Sequence, residues 1–184
     1  MYYTSCFTEE YKDVCQQQKT EDIRFTKGVI YLLKNGGVIG DMLKIYFSEL
    51  FKFKTSAQLK YIQKKLMAVN VHVATGAFIK SGFALAIASS VAIKMRLSFN
   101  IQMLAGHMSS GVIMATGMYG SVQKAADSAQ RLSASYPGYY AALYAQGLEM
   151  MYFLIEPLFQ HSRARDVLRA SDDEIIDIVT GMAR

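Results

Sequence analysis

The chain has 184 residues, 52% of them apolar. This is enough to bury the core of one domain, and it excludes a disordered chain. The formal net charge is +5, so anionic surfaces are candidate partners. The charge is unevenly placed: residues 1–66 carry 11 Lys/Arg and 7 Asp/Glu, residues 67–148 carry 5 and 1, and residues 149–184 carry 4 and 7. The chain therefore has a basic first third, a nearly uncharged middle and a mildly acidic end.

The first residues show no basic segment followed by an apolar run, which is the pattern of a secretory signal peptide. The expectation is synthesis in the cytoplasm, with membrane association or export by a signal-peptide-independent route left open. Cys6 and Cys15, if both lie on one helix, would be about 13 Å apart along its axis. That separation is too long for a disulfide, so we expect two free thiols.

Start and stop signals divide the first third into three amphipathic helices. A short helix follows Thr8 and reaches about residue 18, and a second begins at Thr20, whose next residues are acidic. The second helix should end at Asn35-Gly36-Gly37, where both glycines can take a left-handed conformation. A third helix is predicted over about residues 39–53.

Thr55 with Gln58 three residues later is the pattern of a capping box. No strong stop signal follows before about residues 94–100, so the pattern predicts a helix of nearly 40 residues. Because that is long for a globular domain, a bend is expected near Asn70 or near Thr75-Gly76.

The middle of the chain predicts a hydrophobic helical hairpin over residues 67–131. Its halves are the apolar segment 81–93 and the run 97–123, which contains no Lys, Arg, Asp or Glu. Small residues spaced four apart let two helix backbones approach closely. The positions predicted to pack in this way are Gly106, Ser110, Gly117 and Ser121.

Such a hairpin must be covered either by other helices or by lipid. The run 97–123 is long enough to span a bilayer, but it is diluted by polar residues. The connection between the two halves carries Lys94 and Arg96, and the outer ends are also basic, so the charges indicate no clear topology. A soluble bundle with the hairpin as its core and a conditionally inserting protein both remain open.

The last third begins at the clearest break in the chain, Ser135-Tyr136-Pro137-Gly138. A helix over about residues 139–160 follows, which Pro157 should kink or end. Ser171 with Glu174 is a second capping box and predicts a short final helix.

No segment alternates in the period-two manner of a strand. The fold class predicted is therefore all-α: one domain, 1–184, forming a bundle of about six to eight helices around the central hairpin. It comprises basic amphipathic helices (1–66), the hairpin (67–131) and the C-terminal helices (138–184).

Five lysines lie close to aromatic residues in the first third. A basic face beside an aromatic face suits an anionic membrane surface, although the same pattern also describes a solvated helix face over a core stripe. No phosphate loop, zinc pattern or RNA-binding motif accompanies these lysines, so nucleic acid is not an expected partner. The membrane-surface candidates are Lys52, Lys54, Lys60, Lys64 and Lys65.

Three charged residues stand in apolar surroundings: Lys80, Glu149 and Glu156. A buried carboxylate needs a partner, and Lys80 is the candidate partner for Glu149. No metal, His or nucleophile pattern accompanies the two carboxylates, so we expect no catalytic residues, no metal and no cofactor.

The leading functional expectation is a non-enzymatic protein that interacts with membranes, such as a bacterial effector or toxin kept soluble by its outer helices. The alternative is a soluble interaction protein, such as an immunity protein, an adaptor or a secretion chaperone, in which the hairpin is only the bundle core. An enzyme using Glu149 or Glu156 is a third and weaker class. The expected partner is an anionic membrane or another protein, and an oligomer is compatible with either.

Overall fold

A computed structural model describes residues 12–35, 37–71, 73, 80–98, 114–162 and 170–183. Within these ranges the chain forms eight α-helices and one 3₁₀ helix, and no residue lies in a strand. The elements are α1 (Lys12–Asn35), α2 (Val38–Phe51), α3 (Ser56–Ala68), α4 (Lys80–Ser98), α5 (Met114–Ser135), α6 (Pro137–Gln146), the 3₁₀ helix (Glu149–Leu154), α7 (Glu156–His161) and α8 (Asp172–Met182). The predicted all-α class is confirmed.

Helix α2 lies at the centre of the core. It packs most extensively against α4, and it also contacts α6 and α1. Eight of its 14 residues are buried, and among them Tyr46 and Phe47 are fully buried. The Tyr46 ring meets the ring of Phe159 edge-on at 4.6 Å between centroids and that of Tyr139 at 5.4 Å. This aromatic cluster joins α2 to the C-terminal third of the chain.

The first apolar segment of the predicted hairpin, 81–93, packs against other helices, whereas most of the second segment, 97–123, lies outside the described residues. Helix α4 packs against α2 through a face that contains the fully buried Ala84 and Ala88. These small residues lie four apart on the face that packs against α2, whereas the predicted close approach is between the two halves of the hairpin. Helix α5 packs mainly against the 3₁₀ helix, α6 and α1. Among the described residues, α4 and α5 therefore pack mainly against other helices and not against each other.

Most of the run 97–123 lies outside the described residues, including Gly106 and Ser110. Gly117 lies on α5 at a position where only the backbone is described, and Ser121 is half-buried on the same helix. Cys6 also lies outside the described part, and the side chain of Cys15 is not described. Across the described helices, none combines the length and apolarity that crossing a bilayer requires.

The prediction that a new helix begins at Thr20 is wrong. Helix α1 continues through this position, and the Thr20 hydroxyl donates a hydrogen bond to the carbonyl of Gln16 at 2.8 Å. Within a helix, a threonine hydroxyl can donate a hydrogen bond to the carbonyl four residues back. At a helix N-terminus the same hydroxyl can accept one from a backbone amide. A threonine therefore does not by itself indicate where a helix begins. The end at Asn35 is as predicted, but Gly37 has φ −112° and is not left-handed; Gly36 lies outside the described residues.

A continuous helix of nearly 40 residues is also wrong, because α3 ends at Ala68, next to Asn70, which is one of the two places where a bend is expected. Asn70 has φ +61°, and the amide of Val71 bonds back to the carbonyl of Leu66 at 3.0 Å. Asparagine is one of the few residues other than glycine that tolerate this conformation, and it therefore ends the helix. The capping box of Thr55 and Gln58 at the start of α3 is confirmed, as is that of Ser171 and Glu174 before α8.

The predicted helix over residues 139–160 is three elements rather than one. Helix α6 ends at Gln146, and the residue that caps it, Gly147, has φ +69°. The 3₁₀ helix, which is wound more tightly than an α-helix, follows. Pro157 lies in the first turn of α7 and so begins a helix instead of ending one. Proline is well tolerated there because the first amides of a helix have no intrahelical partner.

The close approach of α1 to the 3₁₀ helix depends on Gly28. A Cβ atom at this position would lie 2.9 Å from Met151 Cε and 3.0 Å from its Cγ, and Met151 is fully buried. We expect Gly28→Leu to overpack this contact and to lower the free energy of unfolding by about 1–3 kcal/mol.

Urea denaturation followed by circular dichroism measures this change. Gly120→Leu on α5 is the control, since a Cβ there meets no atom within 4 Å. It should be neutral or stabilising by up to about 1 kcal/mol, because leucine favours the helix over glycine. Equal effects of the two substitutions would contradict the close contact.

Candidate functional site

Four of the five candidate lysines are exposed, and they lie together on α3 and on the turn before it. Lys60, Lys64 and Lys65 occupy the outer face of α3. Lys52 follows the end of α2 and makes a 3.4 Å ion pair with Glu49, one turn back on that helix. We call Lys52, Lys60, Lys64 and Lys65, with the aromatic residues Phe53 and Tyr61, the basic-aromatic face.

The aromatic members of this face are exposed beside the charges. Phe53 is 72% exposed, although phenylalanine is usually buried. The ammonium of Lys52 lies 5.9 Å from the centre of the Phe53 ring, and that of Lys65 lies 5.5 Å from the Tyr61 ring. Met67 and Val69, at the end of α3, are exposed as well. The face therefore combines cations and apolar side chains on one surface.

Lys54, the fifth candidate, has a structural role. Its ammonium donates to the carbonyl of Ala170 and to Asp172 Oδ1, both at 2.8 Å, and its side chain is only 15% exposed. These bonds hold the start of α8 against the turn before α3. The anchored end of α8 is acidic, and Asp173 accepts a 3.1 Å hydrogen bond from the Tyr61 hydroxyl. An acidic margin therefore borders the basic-aromatic face.

The predicted buried pair of Lys80 and Glu149 does not form. Lys80 is exposed at the start of α4, and its ammonium donates to the carbonyl of Lys52 at 2.7 Å. A long lysine side chain can leave an apolar helix to reach solvent and a carbonyl. Lys80 thus adds a fifth cation next to the turn that carries Phe53.

Glu149 is buried as predicted, with Arg24 on α1 as its partner. Glu149 is 2% exposed, and its Oε1 accepts a hydrogen bond from Arg24 Nε. The guanidinium also donates from Nη2 to the carbonyl of Tyr144 at 3.2 Å, and its carbon lies 3.5 Å from the centre of the Tyr144 ring. The hydrogen bond to Glu149 raises the pKa of Arg24, so this cation stays charged.

Glu156 is also buried as predicted, and it belongs to a second, separate network. Arg131 donates to both of its carboxylate oxygens, at 2.7 and 2.8 Å, and the Ser128 hydroxyl donates to Oε2 at 2.8 Å. The bond from Arg131 is the largest influence and lowers the pKa of Glu156, burial opposes it, and Ser128 adds to the lowering. The carboxylate is therefore held in its charged form.

These two networks connect elements that lie far apart in the sequence. Arg24 and Glu149 are 125 residues apart, and Arg131 and Glu156 are 25 apart. Sequence reasoning missed both arginines, since no spacing rule links residues on different helices. The only local signal is Ser128, which lies three residues before Arg131 and therefore on the same side of α5.

Each buried carboxylate already has an arginine partner, and the two occupy different networks. In the described ranges no three acidic, His or Cys side chains come together in a way that could hold a metal ion. No protein-family model matches the chain, and neither a curated protein nor a solved structure matches it.

The Arg131–Glu156 pair gives a stability that depends on pH. Because the folded-state pKa of Glu156 is below its ordinary value of 4.5, the unfolded chain takes up the proton first as the pH falls. The stabilisation is complete at neutral pH and is lost on acidification from about that value downwards. We expect Glu156→Gln to cost about 1.5–3 kcal/mol at pH 7, towards the lower end because Arg131 is partly exposed to solvent.

Denaturant titrations of both proteins at pH 7 and in steps below pH 5 measure this difference. The difference in the free energy of unfolding between wild type and Glu156→Gln should become smaller as the pH falls. Asp177→Asn, which changes an exposed carboxylate on α8, is the control and should leave the pH dependence near that of wild type. A gap that stays constant through the acidic range would show that the charge of Glu156 contributes nothing.

Proposed function

We propose that this protein is a non-enzymatic helical protein that binds the surface of an anionic membrane through the basic-aromatic face. The single observation that carries the proposal is the 72% exposure of Phe53 beside the ammonium of Lys52, on the turn whose Lys52 carbonyl accepts a hydrogen bond from Lys80. An exposed aromatic ring next to several cations suits the boundary between lipid head groups and acyl chains. Binding of this kind requires no helix that spans the bilayer.

The energetics support attachment by several weak contributions. Each lysine near an anionic surface contributes about 1 kcal/mol, and the basic-aromatic face has four. Burying the Phe53 ring in the interface adds about 1.5–3 kcal/mol. The acidic margin at Asp173 opposes part of this attraction. Salt screens the attraction as well, because the Debye length falls from about 10 Å at 0.1 M to about 3 Å at 1 M, so binding should be weak at high salt.

The role of a bacterial effector or toxin is a narrower form of this proposal. It adds the requirement that the protein damage the membrane after binding it. That step would need the apolar helices α4 and α5 to leave the contacts that bury them. The additional test is release of a trapped dye from the same vesicles, compared at neutral and acidic pH.

The membrane proposal predicts a large loss of vesicle binding when the four exposed lysines of the face are changed to glutamine. The variant Lys52→Gln/Lys60→Gln/Lys64→Gln/Lys65→Gln should bind vesicles containing phosphatidylserine about 100 to 1,000 times more weakly than wild type. Lys54 is left unchanged because it anchors α8. Co-flotation with anionic and with neutral phosphatidylcholine vesicles measures the binding.

The matched control removes four exposed lysines from other surfaces: Lys19→Gln/Lys27→Gln/Lys34→Gln/Lys44→Gln. Both variants lower the formal net charge from +5 to +1, since each loses four positive charges. The control should retain most of the binding if the location of the charge matters. Equal losses in the two variants, or no flotation of wild type with anionic vesicles, would contradict the proposal.

A soluble interaction protein is the second candidate, and the outer face of α1 favours it. Ile23 is 56% exposed and Leu33 is 63% exposed, and Ile30 lies between them on the same face. Spacings of seven and three residues place the three side chains in one stripe, as on helices that dock against a partner helix. An immunity protein, an adaptor or a secretion chaperone would each use such a surface.

This second candidate predicts that α1 takes part in association. If the stripe pairs with a second copy of the chain, wild type should sediment as a dimer at high micromolar concentration. The substitutions Ile23→Lys and Leu33→Lys should then give a monomer with an unchanged melting temperature, because both side chains are already exposed. A wild-type protein that is monomeric throughout this range would exclude self-association through α1.

A further inference from the structure

A cleft of about 300 Å³ lies between α1, α5, α6 and the 3₁₀ helix, away from the basic-aromatic face. Helix α1 contributes Glu21 and Arg24 to its lining, α5 contributes Gln130 and Ser133, α6 contributes Tyr140, and the 3₁₀ helix contributes Glu149. The remainder of the lining includes alanine side chains of α5 and Met150. The cleft is therefore part polar and part apolar, and its size suits a molecule of a few heavy atoms.

One buried acceptor in this lining has no partner within the described residues. Oε2 of Glu149 is inaccessible to solvent and receives no hydrogen bond, although Oε1 is bonded to Arg24. A buried acceptor left without a donor costs free energy, and more so when it is charged. Arg24 bonds Oε1 through Nε and the carbonyl of Tyr144 through Nη2, and none of its donors bonds Oε2.

The charge of the lining points to the kind of molecule that would complete it. Glu21 and Glu149 are acidic and Arg24 is basic, so the lining carries one excess negative charge. Burial, together with the nearby carboxylate of Glu149, raises the pKa of Tyr140, which keeps its hydroxyl neutral. An anion would be repelled by this environment, whereas a single cation would neutralise it.

We propose that this cleft binds a small organic cation whose primary ammonium group pairs with the Glu149 carboxylate, with a rotation of that side chain turning the unpartnered Oε2 toward the cleft. An ammonium has three donors, so it can bond Glu149 and reach the side-chain oxygens of Glu21 or Gln130. Its alkyl part would lie against the alanines of α5 and the Tyr140 ring, where an aromatic face also attracts a cation. The apolar part of the lining favours an organic cation over a bare metal ion, which requires several oxygen ligands.

The proposal is tested by titrating the full chain with n-butylammonium chloride, with 1-butanol and sodium butyrate as neutral and anionic molecules of similar shape. Binding is followed by protein-observed NMR at constant ionic strength. Wild type should bind butylammonium saturably and should bind the other two far more weakly. Glu149→Gln should weaken butylammonium binding by about 10 to 100 times, which is the range for a lost hydrogen bond to a charged group.

Ser133→Phe provides a test that leaves the Arg24–Glu149 pair in place. Ser133 is half-buried and lines the cleft, so a phenylalanine there should fill the space and reduce binding at least tenfold. If Glu149→Gln does not fold, as shown by circular dichroism, this variant alone decides the question. Asp41→Asn, in a separate cleft beside Tyr31, is the matched control and should bind as wild type does.

Two results would overturn the proposal. One is butylammonium binding to wild type that is no stronger than that of butanol. The other is binding that folded Glu149→Gln or Ser133→Phe retains in full. Neither result bears on vesicle binding, because the cleft and the basic-aromatic face share no residue.

Discussion

The burial of α2 is the constraint on which the rest of the fold depends. With eight of its 14 residues buried, this helix must be covered on more than one side. Helix α4 covers one side closely because Ala84 and Ala88 are small, and the aromatic rings of Tyr139 and Phe159 cover another. The Tyr139 hydroxyl donates to the carbonyl of Met42 at 2.8 Å, so the two parts of the chain are held in one register. Hydrophobic burial thus sets the arrangement, and a few buried polar bonds make it specific.

Each of the two buried carboxylates connects helices that are separated in the sequence. Glu156 has every oxygen bonded, and its network holds α5 to α7. Glu149 joins the 3₁₀ helix to α1 but keeps one oxygen without a partner. A fully satisfied buried network stabilises a fold, whereas a buried acceptor without a donor costs free energy. This difference is why the second network, and not the first, leads to a proposed ligand site.

The proposed membrane surface lies on α3 and the turn before it. Lys52, Lys60, Lys64 and Lys65 lie there beside the exposed Phe53 and Tyr61, and further exposed lysines and apolar side chains lie on α1, α2 and α4. Lys80 and Lys54 show how similar lysines take different roles: one supports the turn that exposes Phe53, and the other fixes α8. The proposed membrane surface and the proposed cation cleft lie on different elements, so one protein could carry both.

Local spacing and side-chain chemistry predict the helical class, both capping boxes, the burial of Glu149 and Glu156 and the grouping of exposed lysines. Local signals failed at Thr20, which lies inside α1, and at Pro157, which begins a helix, whereas the break expected near Asn70 is present. The folded chain was needed to show which arginine pairs with each carboxylate, that α4 packs on α2, and that Lys54 anchors α8. Those outcomes depend on contacts between residues far apart in the chain, and no sequence period encodes such contacts.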